Sequence, residues 1–207
     1  VVSNTFNLHE PVGKPGYTFD GWYSDSSLTK KVSGTIILDA LHDWRFYAKW
    51  NPNPYTVTFD SCLGDTVPVE TQLMMYDEAD NLELVSEMRN FKKPGYTFTG
   101  WTLEKDGTVV YKDGQNVKNL AGEGNVTLYA VWELNVFKIT YNLGAGGISQ
   151  TNPESYSIED NDIQLEAPDA KDGYQFLGWY DGDTLVSEIV KGAQKDYKLT
   201  AKWGYGG

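Results

Sequence analysis

One ten-residue stretch occurs three times in this chain. Residues 14–23 read KPGYTFDGWY, residues 93–102 read KPGYTFTGWT, and residues 171–180 read KDGYQFLGWY. The Gly-Trp pairs stand at 21–22, 100–101 and 178–179, so they are spaced by 79 and 78 residues. A second segment closes each period: FYAKW at 46–50, LYAVW at 128–132 and LTAKW at 199–203. A third opens two of them, YTVTFDSCLG at 55–64 and FKITYNLGAG at 137–146. Self-similarity at a fixed period marks a tandem array. Each unit is long enough to hold a core of its own, although a small one of marginal stability.

The local patterns are those of strands. Leu199, Ala201 and Trp203 alternate with Thr200 and Lys202, the period of a strand with one buried face. Phe46, Ala48 and Trp50 repeat it, as do Leu128, Ala130 and Trp132. In the opening segments Tyr55, Val57 and Phe59 share a face, matched by Phe137, Ile139 and Tyr141. Pro15-Gly16, Pro94-Gly95 and Asp172-Gly173 are turn dipeptides. A regular strand through Phe19 would send Trp22 to the opposite face. The intervening Gly21 predicts a bulge that re-aims the indole into the core. Hairpin turns are expected at Asp106-Gly107, Asp113-Gly114 and Asp181-Gly182. The stretch 78–90, EADNLELVSEMRN, has room for a short helix, whereas IEDNDIQLEAPDA at 158–170 reads as turn and loop. Trp22, Trp50, Trp101, Trp132, Trp179 and Trp203 are therefore assigned to packing, because small domains need their aromatic surface inside.

Composition excludes several functions. The net charge is −12 with no basic cluster, which argues against nucleic acid. No apolar run approaches the ~20 residues that span a bilayer. No signal peptide or lipidation motif is visible, so the sequence reads as a mature chain or a fragment. Cys62 is the single cysteine, which rules out an internal disulfide. His9 and His42 are the only histidines, and neither has a partner at zinc-ligand spacing. No nucleophile–base motif appears, and GAGG at 144–147 lacks the Lys-Ser/Thr of a phosphate loop. The acidic groups at 159–162 and 181–183 lack the closing Glu of a calcium loop and read as solvated turns. No cofactor is expected, and the chain reads as non-enzymatic.

With YTVTF at 55–59, GYTFDGWY at 16–23, GYTFTGW at 95–101, GYQFLGWY at 173–180 and three Ala-x-Trp closers, the chain resembles the InlB B-repeat, or Listeria–Bacteroides repeat, of bacterial surface proteins. The resemblance implies an α+β, mostly β array of small β-grasp-like domains of ubiquitin-like topology, with opening and closing strands parallel and adjacent. It implies domains at 1–53, 54–135 and 136–207, and an extracellular location, on a bacterial surface or secreted. The role implied is a spacer, stalk or structural part of an adhesin or fibre. No catalytic residue belongs to the family motif. The second unit departs from the pattern at Cys62 and Leu63 and has a longer middle. Links such as NPNP at 51–54 should limit bending between units.

The first unit lacks an opening strand. Residues 4–19 align without gaps to 161–176, so Val1 corresponds to Ile158 and everything equivalent to 136–157 is missing. The edge of Phe46, Ala48 and Trp50 should then be unpaired, a template for another chain. Truncation is the plainer explanation. The sharper one is head-to-tail self-association, in which a neighbouring subunit donates the strand. The remaining alternative is a carbohydrate- or protein-binding module whose exposed aromatics meet a host or bacterial surface ligand.

Overall fold

The computed structural model describes residues 4–38, 43–121 and 124–206. Val1 and His42, which entered the sequence argument, lie outside them. The chain divides into two compact units, Val1–Phe91 with Thr99–Val131, and Lys92–Phe98 with Trp132–Gly207.

In the first unit, the Gly-Trp strand Tyr17–Tyr23 runs antiparallel to the closing strand Tyr47–Pro52. Phe19 opposes Trp50 and Trp22 opposes Ala48, with a register shift between Phe19 and Gly21. The expected bulge is therefore present. It brings Phe19 and Trp22 together, ring centroids 5.5 Å apart, and Gly21 supports it with φ +118°. A ribbon of Asn4–Asn7 and Thr35–Leu38 sets Phe6 opposite Ile36.

The second repeat forms a four-stranded sheet in the order Glu70–Met75, Pro54–Asp60, Val126–Leu134, Tyr96–Thr102. Its opening strand Pro54–Asp60 pairs parallel with Val126–Leu134, placing Val57 opposite Val126 and Phe59 opposite Leu128. Tyr55, Val57 and Phe59 are buried on the shared face, as their alternation requires.

The helix expected within residues 78–90 does not form. Asp80–Asn81 is a strand paired with Asn116–Val117, and only Val85–Glu87 makes one 3-10 turn. Leu82, Val85, Met88 and Phe91 are the buried residues here, recurring every third position. That period suits the three residues per turn of a 3-10 helix rather than the 3.6 of an α-helix. Side chains also take over the backbone groups a helix would pair. The Glu83 N–H donates to Gln72, Val85 N–H to Asp113 and Arg89 N–H to Glu70, at 2.9–3.1 Å. No α-helix occurs among the described residues, so the chain is mostly β and the α+β assignment is corrected.

In the second unit, the third repeat forms a five-stranded sheet: Ser155–Tyr156, Phe137–Asn142, Tyr197–Tyr205, Tyr174–Asp181, Thr184–Leu185. Opening strand Phe137–Asn142 runs parallel to closing strand Tyr197–Tyr205, with Tyr141 opposite Leu199. Phe176 opposes Trp203 and Trp179 opposes Ala201, again across a register shift, here between Phe176 and Gly178. Asp181 pairs with Thr184 across the Gly182 turn. Ile139, Tyr156, Trp179, Ile189, Leu199 and Ala201 form the core. Among the described residues no helix is long and apolar enough to cross a membrane.

Candidate functional site

The six tryptophans of the repeated motifs fall into distinct environments. Trp101 and Trp179 are buried, 0% and 1% exposed. Each lies against an aromatic of its opening strand: Phe59 at 4.8 Å from Trp101, Tyr141 at 5.1 Å from Trp179. Trp22, their counterpart in the first repeat, is only half-buried. Its N–H donates to the His9 carbonyl at 2.9 Å, as that of Trp179 donates to the Glu166 carbonyl at 2.9 Å, so the local frame is the same. Trp50, Trp132 and Trp203 are half-buried. Each meets the Phe of a Gly-Tyr motif edge-on, at 5.4 Å from Phe19, 5.6 Å from Phe98 and 5.5 Å from Phe176. An exposed row of Trp22, Trp101 and Trp179, the geometry of an aromatic binding groove, is not formed.

The first repeat shows why Trp22 differs. Among the described residues its closing strand Tyr47–Pro52 pairs only with Tyr17–Tyr23, while the closing strands of the other repeats each have a parallel partner as well. Leu128 and Leu199 are sealed by those partners, and Ala130 and Ala201 are buried. Their equivalents Phe46 and Ala48 remain half-buried, as does Trp50. A groove lies beside this strand, lined in part by Ile36, Ile37, Trp44, Arg45 and Phe46. Ile36 corresponds in register to Ile189, which the third repeat packs with Ile139 and Tyr156. Trp44 stacks on Phe46, centroids 6.0 Å apart and planes at 18°, and is 46% exposed. Sequence reasoning missed Trp44 because Val126 and Tyr197 hold that position in the other repeats, leaving no shared signature. An open strand edge beside a groove of mixed apolar and polar lining can take one extended segment, with main-chain bonds on the edge and alternate side chains inward.

A second constellation is built twice, once within each compact unit. Gly16 (φ +80°) is buried beneath Tyr76, and a Cβ on Gly16 would stand 2.2–2.5 Å from three atoms of that ring. Beside it, the Tyr17 hydroxyl donates to Asp77, which also accepts from Asn119 at 2.8 Å. Asn53 donates its N–H to the Gly16 carbonyl at 2.8 Å, and Thr18 bonds its side chain. In the other unit Gly95 (φ +80°) is buried beneath Ile158, the Tyr96 hydroxyl donates to Glu159, Thr97 bonds the Asn135 side chain, and Asn135 N–H reaches the Gly95 carbonyl at 2.9 Å. The Gly-Tyr turn is thus a socket for a turn of the next repeat, the one after Glu70–Met75 in the second repeat and after Ser155–Tyr156 in the third. Lys14 and Lys93 stand over Tyr17 and Tyr96 at 4.1 and 3.9 Å. The Tyr17 phenol is pushed up to about 12 by its bond to Asp77, and Asp77 is held below the usual carboxylate range by the same bond.

Among the described residues no three His, Cys, Asp or Glu side chains converge as metal ligands. The acidic turns are otherwise engaged: Asp160 accepts from Ser157 N–H, Asp162 from Lys191 N–H, and Asp181 pairs with Lys195 at 2.6 Å.

Comparison with known proteins agrees with this repeat geometry. The profile of the Listeria–Bacteroides repeat domain matches residues 3–49, 55–131 and 137–202. Two Evansella cellulosilytica proteins with membrane-protein names, one of them called Gly-rich, are each 30% identical over 87% and 86% of this chain. Internalin H of Listeria monocytogenes is 35% identical over 87% of it. The chain spans only 19%, 24% and 28% of these relatives' own lengths. With three successive matches covering nearly all of its length, the chain belongs to the Listeria–Bacteroides repeat family.

Proposed function

We propose that this chain is a non-enzymatic spacer or stalk segment of an extracellular bacterial surface adhesin or fibre, made of three β-grasp-like units at 1–53, 54–135 and 136–207. The observation that carries the reading is the twice-built socket at Gly16 and Gly95. The recurrent motif is spent on joining one repeat to the next and on each core, not on a ligand cleft. Relatives named as membrane proteins and as an internalin support a surface setting. The parallel opening and closing strands of the second and third repeats support the β-grasp topology.

The edge of Phe46, Ala48 and Trp50 is, in this reading, the place of an opening strand supplied by the preceding part of a longer protein. Donation by a second copy, which would build a polymer, is the other outcome of the test. A synthetic peptide of residues 136–143 is titrated into the chain while indole fluorescence is followed. Saturable binding with a shift that Trp44→Ala and Trp22→Phe each diminish supports strand completion. No binding, with Ala48 already protected from exchange in a monomer, overturns it. Concentration-dependent growth in sedimentation without peptide favours polymerisation.

A second reading, a carbohydrate- or protein-binding module, is favoured by the exposed Trp44 stacked on Phe46. Glycan arrays separate the two: glycan binding that Trp44→Ala abolishes selects the module and rejects the plain spacer.

A further inference from the structure

The outward face of the third-repeat sheet carries charge of the opposite sign to the chain, whose net charge is −12. Strand alternation turns Ile139, Leu199 and Ala201 inward, where they are buried, and leaves Lys138, Thr140, Lys198, Thr200 and Lys202 exposed. The parallel register sets Thr140 opposite Lys198, so Lys138 lies one diagonal step from Lys198. Lys202 follows on the same strand, about 13 Å beyond Lys198. Three cations thus form one line across two neighbouring strands. None of them is in an ion pair among the described residues, and no outward position of the sheet's strands holds a carboxylate. Asp196, just before the closing strand, accepts from the Lys138 N–H at 2.8 Å, and Asp181 pairs with Lys195. At the other edge of the face Lys202 rests over the Tyr180 ring at 3.9 Å, and Leu177 and Leu185 are more than half exposed.

The other repeats do not share this face. Lys49 of the first repeat corresponds to Lys202, and it is paired with Asp20 at 3.5 Å. Leu177 stands where Asp20 does, so the third repeat keeps the cation and drops its acid. In the second repeat Thr56, Thr127 and Val131 hold the places of Lys138, Lys198 and Lys202. We propose that the outward face of the third-repeat sheet binds a linear anionic polysaccharide. Charge complementarity carries the argument. A flat sheet face encloses no small molecule, but a chain laid along the lysine line presents successive acid groups to successive cations. The threonine hydroxyls between them can bond sugar hydroxyls, and the exposed leucines offer apolar surface to sugar rings. Carboxylates elsewhere on the repeat repel the same polymer and so favour this face. A single-stranded nucleic acid is also a polyanion, but its bases stack on open aromatic faces, and Lys202 covers that of Tyr180. The proposal goes beyond the spacer reading, does not rest on it, and lies on a different repeat from the Trp44 groove.

The test measures binding of the full chain to immobilised polygalacturonate, with neutral dextran as the matched control, at low and at physiological ionic strength. Binding to polygalacturonate alone, weakening as salt is raised, is the expected result. Lys138→Gln, Lys198→Gln and Lys202→Gln should each lower the affinity by about two- to fivefold, and the triple variant by about tenfold or more. Lys171→Gln and Lys191→Gln remove the same charge from turns of the same repeat, and each should change it by less than about twofold. Leu177→Asp restores beside Lys202 the acid of the first repeat and should weaken binding as much as losing that lysine. Trp44→Ala should leave the binding unchanged, which separates this face from the glycan-binding reading of the first repeat. No binding at low salt overturns the proposal. So does an equal loss from the turn lysines, or tighter binding to single-stranded DNA than to polygalacturonate.

Discussion

Gly95→Ala should damage the joint it occupies, and Gly173→Ala supplies the control within the same molecule. Both glycines have positive φ, +80° and +84°, so alanine costs about 1–2 kcal/mol of backbone strain at either position. Their surroundings differ. At Gly95 the new methyl would lie 2.3, 2.4 and 2.6 Å from Cδ1, Cγ1 and Cγ2 of Ile158. Two of those carbons are attached directly to Cβ, so a rotamer change cannot clear them all and the packed turn must move away. Overpacking of that kind costs about 1–3 kcal/mol more. Hydrogen exchange at the Asn135 amide, which is bonded to the Gly95 carbonyl at 2.9 Å, reads the opening. The Gly206 amide, bonded to the Gly173 carbonyl at 2.9 Å, reads the control, where a Cβ would meet nothing nearer than 3.7 Å. At about 1.4 kcal/mol per decade, Gly95→Ala should accelerate Asn135 by about five- to a hundredfold beyond what Gly173→Ala does to Gly206. Equal acceleration at the two sites would show that backbone strain alone explains these glycines and that the close approach contributes nothing.

Other substitutions probe the remaining features. Cys62 holds φ +58° where the third repeat has Gly144 at +67°, and each N–H caps a side chain two residues back, Asp60 or Asn142. Cys62→Gly should therefore stabilise by about 1 kcal/mol, measured by urea unfolding. Trp179→Ala should cost about 3–5 kcal/mol in the same assay, and Trp22→Ala about 1–2 kcal/mol, because only the former indole is sealed by an opening strand. The Tyr17–Asp77 bond predicts two pH limits. The carboxyl is lowered in the folded state, so its contribution is complete above the unfolded value near 4 and fades as pH falls through the folded one. The phenol is raised to about 12, so its contribution is complete below about 10 and is lost between 10 and 12. Ultraviolet titration should show Tyr17→Phe removing one late-titrating phenol.

Much of the fold was legible because its signals are local. Alternation at Tyr55–Val57–Phe59 and at Leu199–Ala201–Trp203 fixes which face is buried, and the glycine between Phe19 and Trp22 foretells the bulge. The stretch 78–90 was misjudged because its fate depends on partners far along the chain. Gln72, Asp113 and Glu70 hold its backbone open, and none of them lies within a helical turn of it. The socket was hidden for the same reason. Pro15-Gly16 reads as a turn, and nothing nearby announces that Tyr76 will lie on it. One clue was present: glycine persists at 16, 95 and 173 although the residue before it changes from Pro to Asp. The open edge of the first repeat followed from alignment alone, while Trp44 beside it falls outside the repeated pattern.

The parallel pairing of first and last strands also decides how a repeat answers a pull. In the third repeat the chain enters at the start of Phe137–Asn142 and leaves at the far end of Tyr197–Tyr205. Tension applied along the backbone therefore slides these two neighbours past each other, loading their hydrogen bonds together in shear instead of peeling them one by one. The second repeat, with Pro54–Asp60 beside Val126–Leu134, is strung in the same manner. Both repeats are therefore clamped by the pairing of their own first and last strands.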